Sequence, residues 1–224
     1  MTALRIGDAA VTRCDITFPR RGVWCADVDL DTETAPTGRV SVVVDGGPTW
    51  SGTVVSGGVS HGLWSGRIVG GAGGLRNVLD ARAYRNATLA DVVADVLTDA
   101  AEAIAATAGD LGAAAALWHR PRGTGAAALG SVADAAGYGW RVLADGGVWL
   151  GAETWPALTL ADVSLLEVDH LCGIYVLGGD TLAVVPGVTL TLADESAQAS
   201  VRVGDVEHAV LPDGYTTRVW AVLS

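Results

Sequence analysis

The chain has 224 residues, of which 50% are hydrophobic and 17% charged, and this composition excludes a globally disordered protein. Its 25 acidic and 14 basic residues give a net charge of −11, so the chain would repel a phosphate backbone and nucleic-acid recognition is disfavoured. The longest apolar stretch, residues 100–117, is interrupted by Glu102 and Asp110, so we predict no membrane span, and the N-terminus lacks a signal-peptide pattern.

The first eighty or so residues have the pattern of short strands. From residue 24 to residue 31 apolar and polar side chains alternate, as in a strand with one buried and one solvated face. Further strands are predicted at residues 39–45, 49–55 and 61–69. Glycine-rich segments such as Ser56-Gly57-Gly58 separate them, and we interpret these segments as turns. Short strands at regular spacing favour a small barrel or a sandwich.

The apolar period then becomes helical. Thr88 is a candidate N-cap with Asp91 three residues later, which predicts a helix over residues 89–107. Its buried face is predicted to contain Leu89, Val92, Val93, Val96, Ala100, Ala103 and Ile104. A second helix is predicted over residues 124–136 and is ended by Gly137. A hairpin with strands at residues 139–144 and 148–151 follows it.

Strand patterns return at residue 158. We predict strands at residues 171–177, 181–185, 188–192, 199–211 and 215–223, with turns at Pro186-Gly187 and Pro212-Asp213-Gly214. The chain is therefore predicted to be mainly β with a helical insertion, in the α+β class. The predicted segments are an N-terminal β-unit at residues 1–84, the helical insertion with its hairpin at 85–157, and a C-terminal β-unit at 158–224.

The cysteines and histidines do not indicate a metal centre or a disulfide scaffold. Cys14, Cys25 and Cys172 are odd in number and lack zinc-ligand spacing. Cys14 and Cys25 are expected on the two arms of one hairpin, as small core residues. The four histidines stand far apart, at His61, His119, His170 and His208. We therefore predict no metal site and no cofactor site.

Two groups of charged residues are candidates for catalysis, and both have simpler interpretations. His119 beside Arg120 and Arg122 could act as a base next to an anion clamp, but a solvated loop between the two helices explains the same residues. The aspartates of the first strand pattern resemble a carboxylate cluster, but their spacing places them on one outward face, where solvation and edge protection are favoured. They are Asp27, Asp29 and Asp31. We predict no catalytic residue and no enzymatic activity.

Glycines and tryptophans suggest two further binding functions. The run Gly70-Gly71-Ala72-Gly73-Gly74 matches no nucleotide-binding motif and does not open a predicted helix, so it is only weak support for phosphate binding. A sugar-binding platform needs several tryptophans on one face, whereas the eight in this chain are scattered singly and most are predicted in the core. They are Trp24, Trp50, Trp64, Trp118, Trp140, Trp149, Trp155 and Trp220.

Three longer motifs, which follow one another along the chain, indicate a function more specifically than these single residues and short runs. The first is YRNATLADVV at residues 84–93, and the second is ALGSVADAAGYGWRV at 128–142 with DGGVWLG at 145–151. The third comprises VPGVTL at 185–190, VRVGDVEH at 201–208 and DGYTTRV at 213–219. In this order the chain resembles the baseplate hub proteins of tailed phages, the late control protein D family, whose fold is shared with the hub part of type VI secretion spike proteins.

The resemblance covers residues 4–223 and implies two small antiparallel β-barrels that flank the helical insertion. It further implies a homotrimer whose ring adapts the sixfold tail tube to the threefold central spike and nucleates tube assembly. Expected partners are the tail tube protein, tube-initiator proteins, the central spike protein and the tape measure protein. DNA is expected to pass through the lumen without specific binding, and no membrane insertion is expected. The expected location is the virion baseplate, after synthesis in the bacterial cytoplasm.

Two alternatives remain at the level of the sequence. One is a cell-surface or carbohydrate-binding β-protein, for which the tryptophans are the main argument. The other is a hydrolase that uses His119 or the aspartates. Neither accounts for the two helices between the strand-rich segments. His208 is expected to be a partly buried histidine that donates a hydrogen bond to a backbone carbonyl.

Overall fold

The structure, a computed structural model, describes residues 4–44, 47–105, 111–112, 114–193, 198–211 and 214–222. Its first six strands form a closed antiparallel barrel. They are β1 (Leu4–Ile6), β2 (Ala9–Phe18), β3 (Cys25–Leu30), β4 (Arg39–Val44), β5 (Thr49–Ser60) and β6 (Leu63–Gly70). The strands pair in the order β1-β4-β5-β6-β3-β2, and β1 also pairs with β2, which closes the cylinder.

Tryptophan rings fill the barrel against glycines of the neighbouring strands. Trp24 and Trp64 are buried, together with Trp50. A Cβ atom at Gly57 would lie 2.7 Å from Cε2 of Trp64, and a Cβ atom at Gly70 would lie 2.6 Å from Cδ1 of Trp24. Side chains do not pack at such distances, so the rings occupy space that only glycine leaves open. The glycines of β5 and β6 therefore serve the packing of the core.

The turn predicted at Ser56-Gly57-Gly58 is wrong. β5 continues through these residues and pairs with β6 as far as Ser60. The chain reverses instead at His61 and Gly62, where φ is 52° and 81°. Glycine pairs between strand patterns usually mark turns, and nothing local distinguishes a glycine that faces an indole ring.

The insertion between the barrel and the C-terminal strands is built around two helices. Its elements are a 3₁₀ turn (Gly74–Arg76), β7 (Val78–Leu79), β8 (Arg82–Thr88), α1 (Leu89–Asp99), β9 (Ala114–Arg120), β10 (Gly123–Thr124), α2 (Gly125–Ala136), β11 (Gly139–Val142) and β12 (Val148–Gly151). β8 pairs with β9, β7 with β10, and β11 with β12. α1 packs against α2 and β8.

Both helices begin at the predicted caps. The Thr88 hydroxyl accepts from the Asp91 amide at 3.1 Å, and the Asp91 carboxylate accepts from the Thr88 amide at 2.7 Å, which completes a capping box. Thr124 caps α2, and Gly137 ends it in the left-handed conformation with φ 68°. The second helix and the hairpin β11–β12 are confirmed close to their predicted bounds.

α1 ends earlier than predicted. It stops at Asp99 rather than at residue 107, which lies outside the described residues. Ala101 has φ 54°, and the following backbone bonds to β12, since the Ala105 amide donates to the Val148 carbonyl at 2.8 Å. Ile104, predicted on the buried face, is 53% exposed. Alanine helix propensity amounts to only about 0.5 kcal/mol per residue over its competitors, so tertiary hydrogen bonds override it here.

The C-terminal strands extend the barrel sheet. They are β13 (Ala157–Leu158), β14 (Val163–Asp169), β15 (Ile174–Gly179), β16 (Thr189–Ala193), β17 (Gln198–Leu211) and β18 (Gly214–Ala221). β17 pairs with β2, and the sheet continues through β18 and β15 to β14. The first residues of β17 pair with β16, and β16 pairs with β13 in parallel.

These strands differ from the prediction in three ways. In the part of the chain that the structure describes there is one closed barrel, whereas the sequence predicts two, because the C-terminal sheet is open at β13 and at β14. Residues 181–185 form a turn rather than a strand, with the Val184 amide bonded to the Thr181 carbonyl at 3.0 Å. β14 has no counterpart among the predicted strands. The predicted strands at 188–192, 199–211 and 215–223 correspond to β16, β17 and β18.

Candidate functional site

His119, Arg120 and Arg122 do not form an anion clamp. His119 is exposed on β9, which the sequence interpretation treats as a loop. Arg120 is only 3% exposed, and its guanidinium donates to the Asp80 carbonyl at 3.1 Å and to the Asp99 carboxylate at 2.6 Å. The prediction of a solvated segment is therefore wrong for Arg120. Its charge is neutralised within the protein, and it ties the end of α1 to the start of the β8–β9 ribbon.

Asp27 and Asp29 of β3, and Asp31 directly after it, lie on the outer face of the barrel, as predicted, but they do not protect an edge. β3 lies between β2 and β6, so its backbone is paired on both sides. The Asp27 carboxylate accepts two hydrogen bonds from Arg67, at 2.7 and 2.6 Å, and these bonds hold the pKa of Asp27 below its usual value. Asp29 is half-buried and Asp31 is exposed.

The neighbouring strands give the same face a mixed charge. Arg13 pairs with Asp15 on β2 at 2.6 Å, next to the pair between Arg67 and Asp27. Such exposed pairs contribute about 0–1 kcal/mol to folding. The face is therefore a solvated surface of mixed charge, on which Arg13 and Arg67 pair with the carboxylates of Asp15 and Asp27.

Backbone amides of the glycine run at residues 70–74 bind a carboxylate of the protein itself, that of Glu102. The carboxylate of Glu102 accepts hydrogen bonds from the Ala72 amide at 2.8 Å and from the Gly74 amide at 2.9 Å. Gly71 and Gly73 have φ of 75° and 83°, which turns these amides towards the carboxylate. The donors that would hold a phosphate are thus already used to fix the segment after α1 against the barrel.

The tryptophans do not form a sugar-binding platform. Trp24, Trp50, Trp64 and Trp140 are buried, and the other four are half-buried. Arg141 covers the ring of Trp149 at 4.1 Å from its centroid, and Trp155 has arginine guanidinium groups at 5.0 and 5.6 Å. None of the eight tryptophan residues is in the exposed class, and arginines cover the rings of Trp149 and Trp155.

His208 lies in a fully buried polar network between the barrel and the C-terminal sheet. Its Nε2 lies 3.1 Å from the Val184 carbonyl oxygen, which can only accept, so Nε2 carries the proton. Nδ1 then accepts from the Thr217 hydroxyl at 2.8 Å, and Thr217 accepts from Thr181 at 2.7 Å. Burial lowers the pKa of His208 to about 4. The predicted bond to a backbone carbonyl is confirmed, and the ring is completely rather than partly buried.

The cysteines are placed as the sequence predicts. Cys14 is buried on β2 and Cys25 is half-buried on β3, the two arms of one hairpin, and all three cysteines are free thiols. Burial raises the pKa of Cys14, which makes it an inert core residue. Within the described ranges, no group of three or more His, Cys, Asp or Glu side chains is placed to hold a metal ion. The helices found in those ranges are all too short or too polar to cross a membrane.

The most distinctive surface is the β14–β15 hairpin. Every residue of β14 is half-buried or exposed, and Leu166 beside its bulge is 58% exposed. At the tip, the Asp169 carboxylate accepts from the amides of Leu171 and Cys172 at 2.9 and 3.0 Å, which fixes a turn whose Leu171 is 94% exposed. The bulge interrupts the alternation of apolar residues in β14, which is why the sequence pattern did not reveal this strand.

Solved structures with the same architecture come from phage tails. The tail protein from Neisseria meningitidis MC58 superposes with a TM-score of 0.69 over 97% of this chain and 94% of its own, at 15% identity. The 43 kDa tail protein of prophage MuSo2 from Shewanella oneidensis gives a TM-score of 0.69 over 99% of this chain and 97% of its own, at 11% identity. The chain has the fold of phage tail proteins.

A component of a bacterial secretion system has a similar fold. The c3393 protein of E. coli, a component of the type VI secretion system described as similar to the T4 bacteriophage tail proteins gp27 and gp5, superposes with a TM-score of 0.68. That match covers 99% of this chain and 77% of the other, at 10% identity. The resemblance to the baseplate hub fold is thereby confirmed. No family model and no curated protein sequence matches the chain, so the likeness lies in the fold.

Proposed function

We propose that this protein is the structural hub of a phage-tail baseplate. Three copies form a ring that adapts the sixfold tail tube to the threefold central spike and nucleates tube assembly. The observation that carries the proposal is the end-to-end match to tail proteins and to a type VI secretion component, over 97–99% of this chain. The role is mechanical, and two of the charged groups singled out in the sequence form structural ion pairs, Arg120 with Asp99 and Asp27 with Arg67.

The architecture supports a ring of six similar units. Each chain offers the closed barrel of β1–β6 and a C-terminal sheet of β-strands, with the two-helix insertion between them. We propose that residues 1–84 and 158–224 are the two tube-facing units and that 85–157 is the outer insertion. Three chains then present six β-units, which matches the symmetry of a sixfold tube. The C-terminal unit, open in a single chain, would be completed within the ring.

The negative charge of the chain is compatible with a channel through which DNA passes. A net charge of −11 per copy disfavours adhesion of a phosphate backbone, so DNA passes through the lumen without specific binding. The partners of the ring are the tail tube protein, tube-initiator proteins, the central spike protein and the tape measure protein. Its place is the virion baseplate, to which it is delivered from the bacterial cytoplasm.

Light scattering and negative-stain microscopy test the ring directly. The expected particle has three times the mass of one chain and threefold symmetry, and its addition should shorten the lag of tail-tube polymerisation. A monomer at every concentration, both alone and with the spike protein, would overturn the proposal. A glycan array tests the carbohydrate-binding alternative, and no binding is expected because every tryptophan is buried or half-buried.

A further inference from the structure

A small apolar cleft lies where the barrel meets the insertion. Its apolar walls come from both parts of the chain, Val23 and Val69 from the barrel and Leu75 and Ala126 from the insertion. Gly70 and Gly73 also line it, and because they lack side chains they leave space between the walls. The cleft has a volume of about 190 Å³ and opens to solvent.

The volume of the cleft matches one large apolar side chain. A cavity of roughly 150 Å³ that is lined by leucine, isoleucine and phenylalanine takes up benzene. A cleft of about 190 Å³ therefore has room for a phenyl ring or a branched aliphatic side chain. Concave apolar surface of this kind is typical of sites where another molecule binds.

One cation lines the cleft. Arg76 follows Leu75 directly in the chain, is exposed, and is the one ionisable residue among the described residues that line the cleft. Within the described part of the chain it takes part in no salt bridge. The hydroxyl oxygen of Thr124, also in the lining, already accepts from the Ala127 amide at 3.2 Å as the cap of α2. The group available to a ligand is therefore the Arg76 guanidinium, which pairs best with a carboxylate.

Exposed apolar surface continues beside the cleft. Val78 is paired with Thr124 across β7 and β10, and Val78 is 58% exposed. A small molecule in the cleft would leave Val78 in water, whereas a polypeptide segment can cover it while one of its side chains fills the cleft. The occupant that fits this surface is therefore a segment of protein rather than a free metabolite.

We propose that this cleft binds a segment of a partner protein in which a large apolar side chain stands next to an acidic residue. The apolar side chain fills the cleft between Val69 and Ala126, and the carboxylate pairs with Arg76. Because Leu75 and Arg76 are consecutive, the two groups of the partner must also lie within a few residues of each other. The inference concerns contact with a different protein, and it holds whether or not three copies of this chain form a ring.

Three short capped peptides test the two parts of this recognition. The peptide AFDA carries both groups, AFNA lacks the carboxylate, and AADA lacks the large apolar side chain. AFDA should bind with a Kd on the order of 1 mM, as expected when roughly fifteen ligand atoms make contact. AFNA should bind up to about fivefold more weakly, which is the range of an exposed ion pair, and AADA should not bind measurably. Titrations followed by the NMR chemical shifts of the amides of residues 70, 73 and 75 measure these affinities.

Variants of the full chain locate the site. Arg76→Gln should bind AFDA and AFNA equally, whereas Arg85→Gln, which removes another exposed arginine, should keep the preference for AFDA. Ala126→Phe fills the cleft and should abolish binding of AFDA. Ala135→Phe, at an exposed position of the same helix, is the matched control and should bind AFDA as the wild type does. Circular dichroism checks that each variant is folded, and the three peptides test the wild type without any variant.

Each contrary result would overturn a stated part of the proposal. Unchanged amide shifts of the wild type in the presence of AFDA would overturn the site, and equal binding of AADA and AFDA would overturn the apolar anchor. A preference for AFDA over AFNA that survives in Arg76→Gln would overturn the pairing with the carboxylate. Loss of self-association in folded Ala126→Phe would identify a second copy as the occupant and overturn the assignment to a different protein. A ring without peptide binding, or peptide binding without a ring, separates this inference from the hub function.

Discussion

The packing of Trp64 against β5 predicts that two adjacent glycines respond in opposite ways to the same substitution. A Cβ atom at Gly57 would lie 2.7 Å from Cε2 and 2.9 Å from Nε1 of Trp64, whereas a Cβ atom at Gly58 meets nothing within 4 Å. Ordinary contacts of this kind are about 3.5–4.0 Å, so the overlap at Gly57 approaches 1 Å. Trp64 is 1% exposed, so its ring is enclosed by other protein atoms.

The expected magnitudes follow from overpacking and chain entropy. Gly57→Ala should reduce the free energy of unfolding by about 1–3 kcal/mol, as overpacked cores do. Gly58→Ala should leave it unchanged or raise it by about 0.4–1 kcal/mol, because alanine restricts the unfolded chain. For a chain of this length each kcal/mol shifts Tm by about 2–4 °C. Both proteins should retain the wild-type circular dichroism spectrum.

Urea and thermal denaturation of the two variants measure this difference, and a double-mutant cycle locates its cause. Trp64→Phe removes the ring atoms nearest Gly57, so Gly57→Ala should cost less in the Trp64→Phe background than in the wild type. Equal stability of Gly57→Ala and Gly58→Ala would refute the packing argument.

Three further predictions concern His208, the buried face of α1 and the carboxylate of Glu102. Because burial lowers the pKa of His208 to about 4 from 6.5, the unfolded state takes up the proton first as the pH falls, so wild-type stability should drop by about 3 kcal/mol between pH 6.5 and 4. Urea titrations should show a smaller loss in His208→Gln, and an equal loss in both proteins would contradict the assignment. Val96→Asp places a charge on the fully buried face of α1 and should cost several kcal/mol, whereas Ala94→Asp on the exposed face should cost less than about 1 kcal/mol; similar melting temperatures would contradict this burial. Glu102→Ala leaves two backbone amides without their carboxylate and should cost about 1–3 kcal/mol, with faster hydrogen exchange at residues 72 and 74 as the diagnostic measurement.

Local signals predicted those elements whose ends are fixed by neighbouring residues. α2 begins at Thr124 and ends at Gly137, because a hydroxyl can cap free amides and glycine adopts the left-handed conformation without strain. The capping box of α1 and the hairpin β11–β12 follow from equally short spacings. The inward face of β3 follows from its alternation. In each case the interacting groups lie within a few residues of one another.

The ends of other helices and strands depend on partners that are distant in sequence. α1 stops at Asp99 because the next residues bond to β12 and to the glycine run, and alanine propensity is too weak to resist. Gly57 lies within a strand because the Trp64 ring covers it. Arg120 is buried because Asp80 and Asp99 meet there. The residue pattern around each of these positions does not indicate which distant partner it contacts.

The resemblance to a tail-protein fold was likewise visible in the sequence, whereas the closure of the strands was not. The sequence, through the order of its three long motifs, indicated a baseplate hub, and the fold of tail proteins agrees with it. Only the tertiary structure decided how the strands close. One barrel closes on itself because β1 pairs with both β2 and β4, while the C-terminal sheet ends at β13 and β14, which have no second partner strand among the described residues. Strand closure depends on the geometry of pairings between distant segments, and residue patterns along a strand specify its faces but not its neighbour.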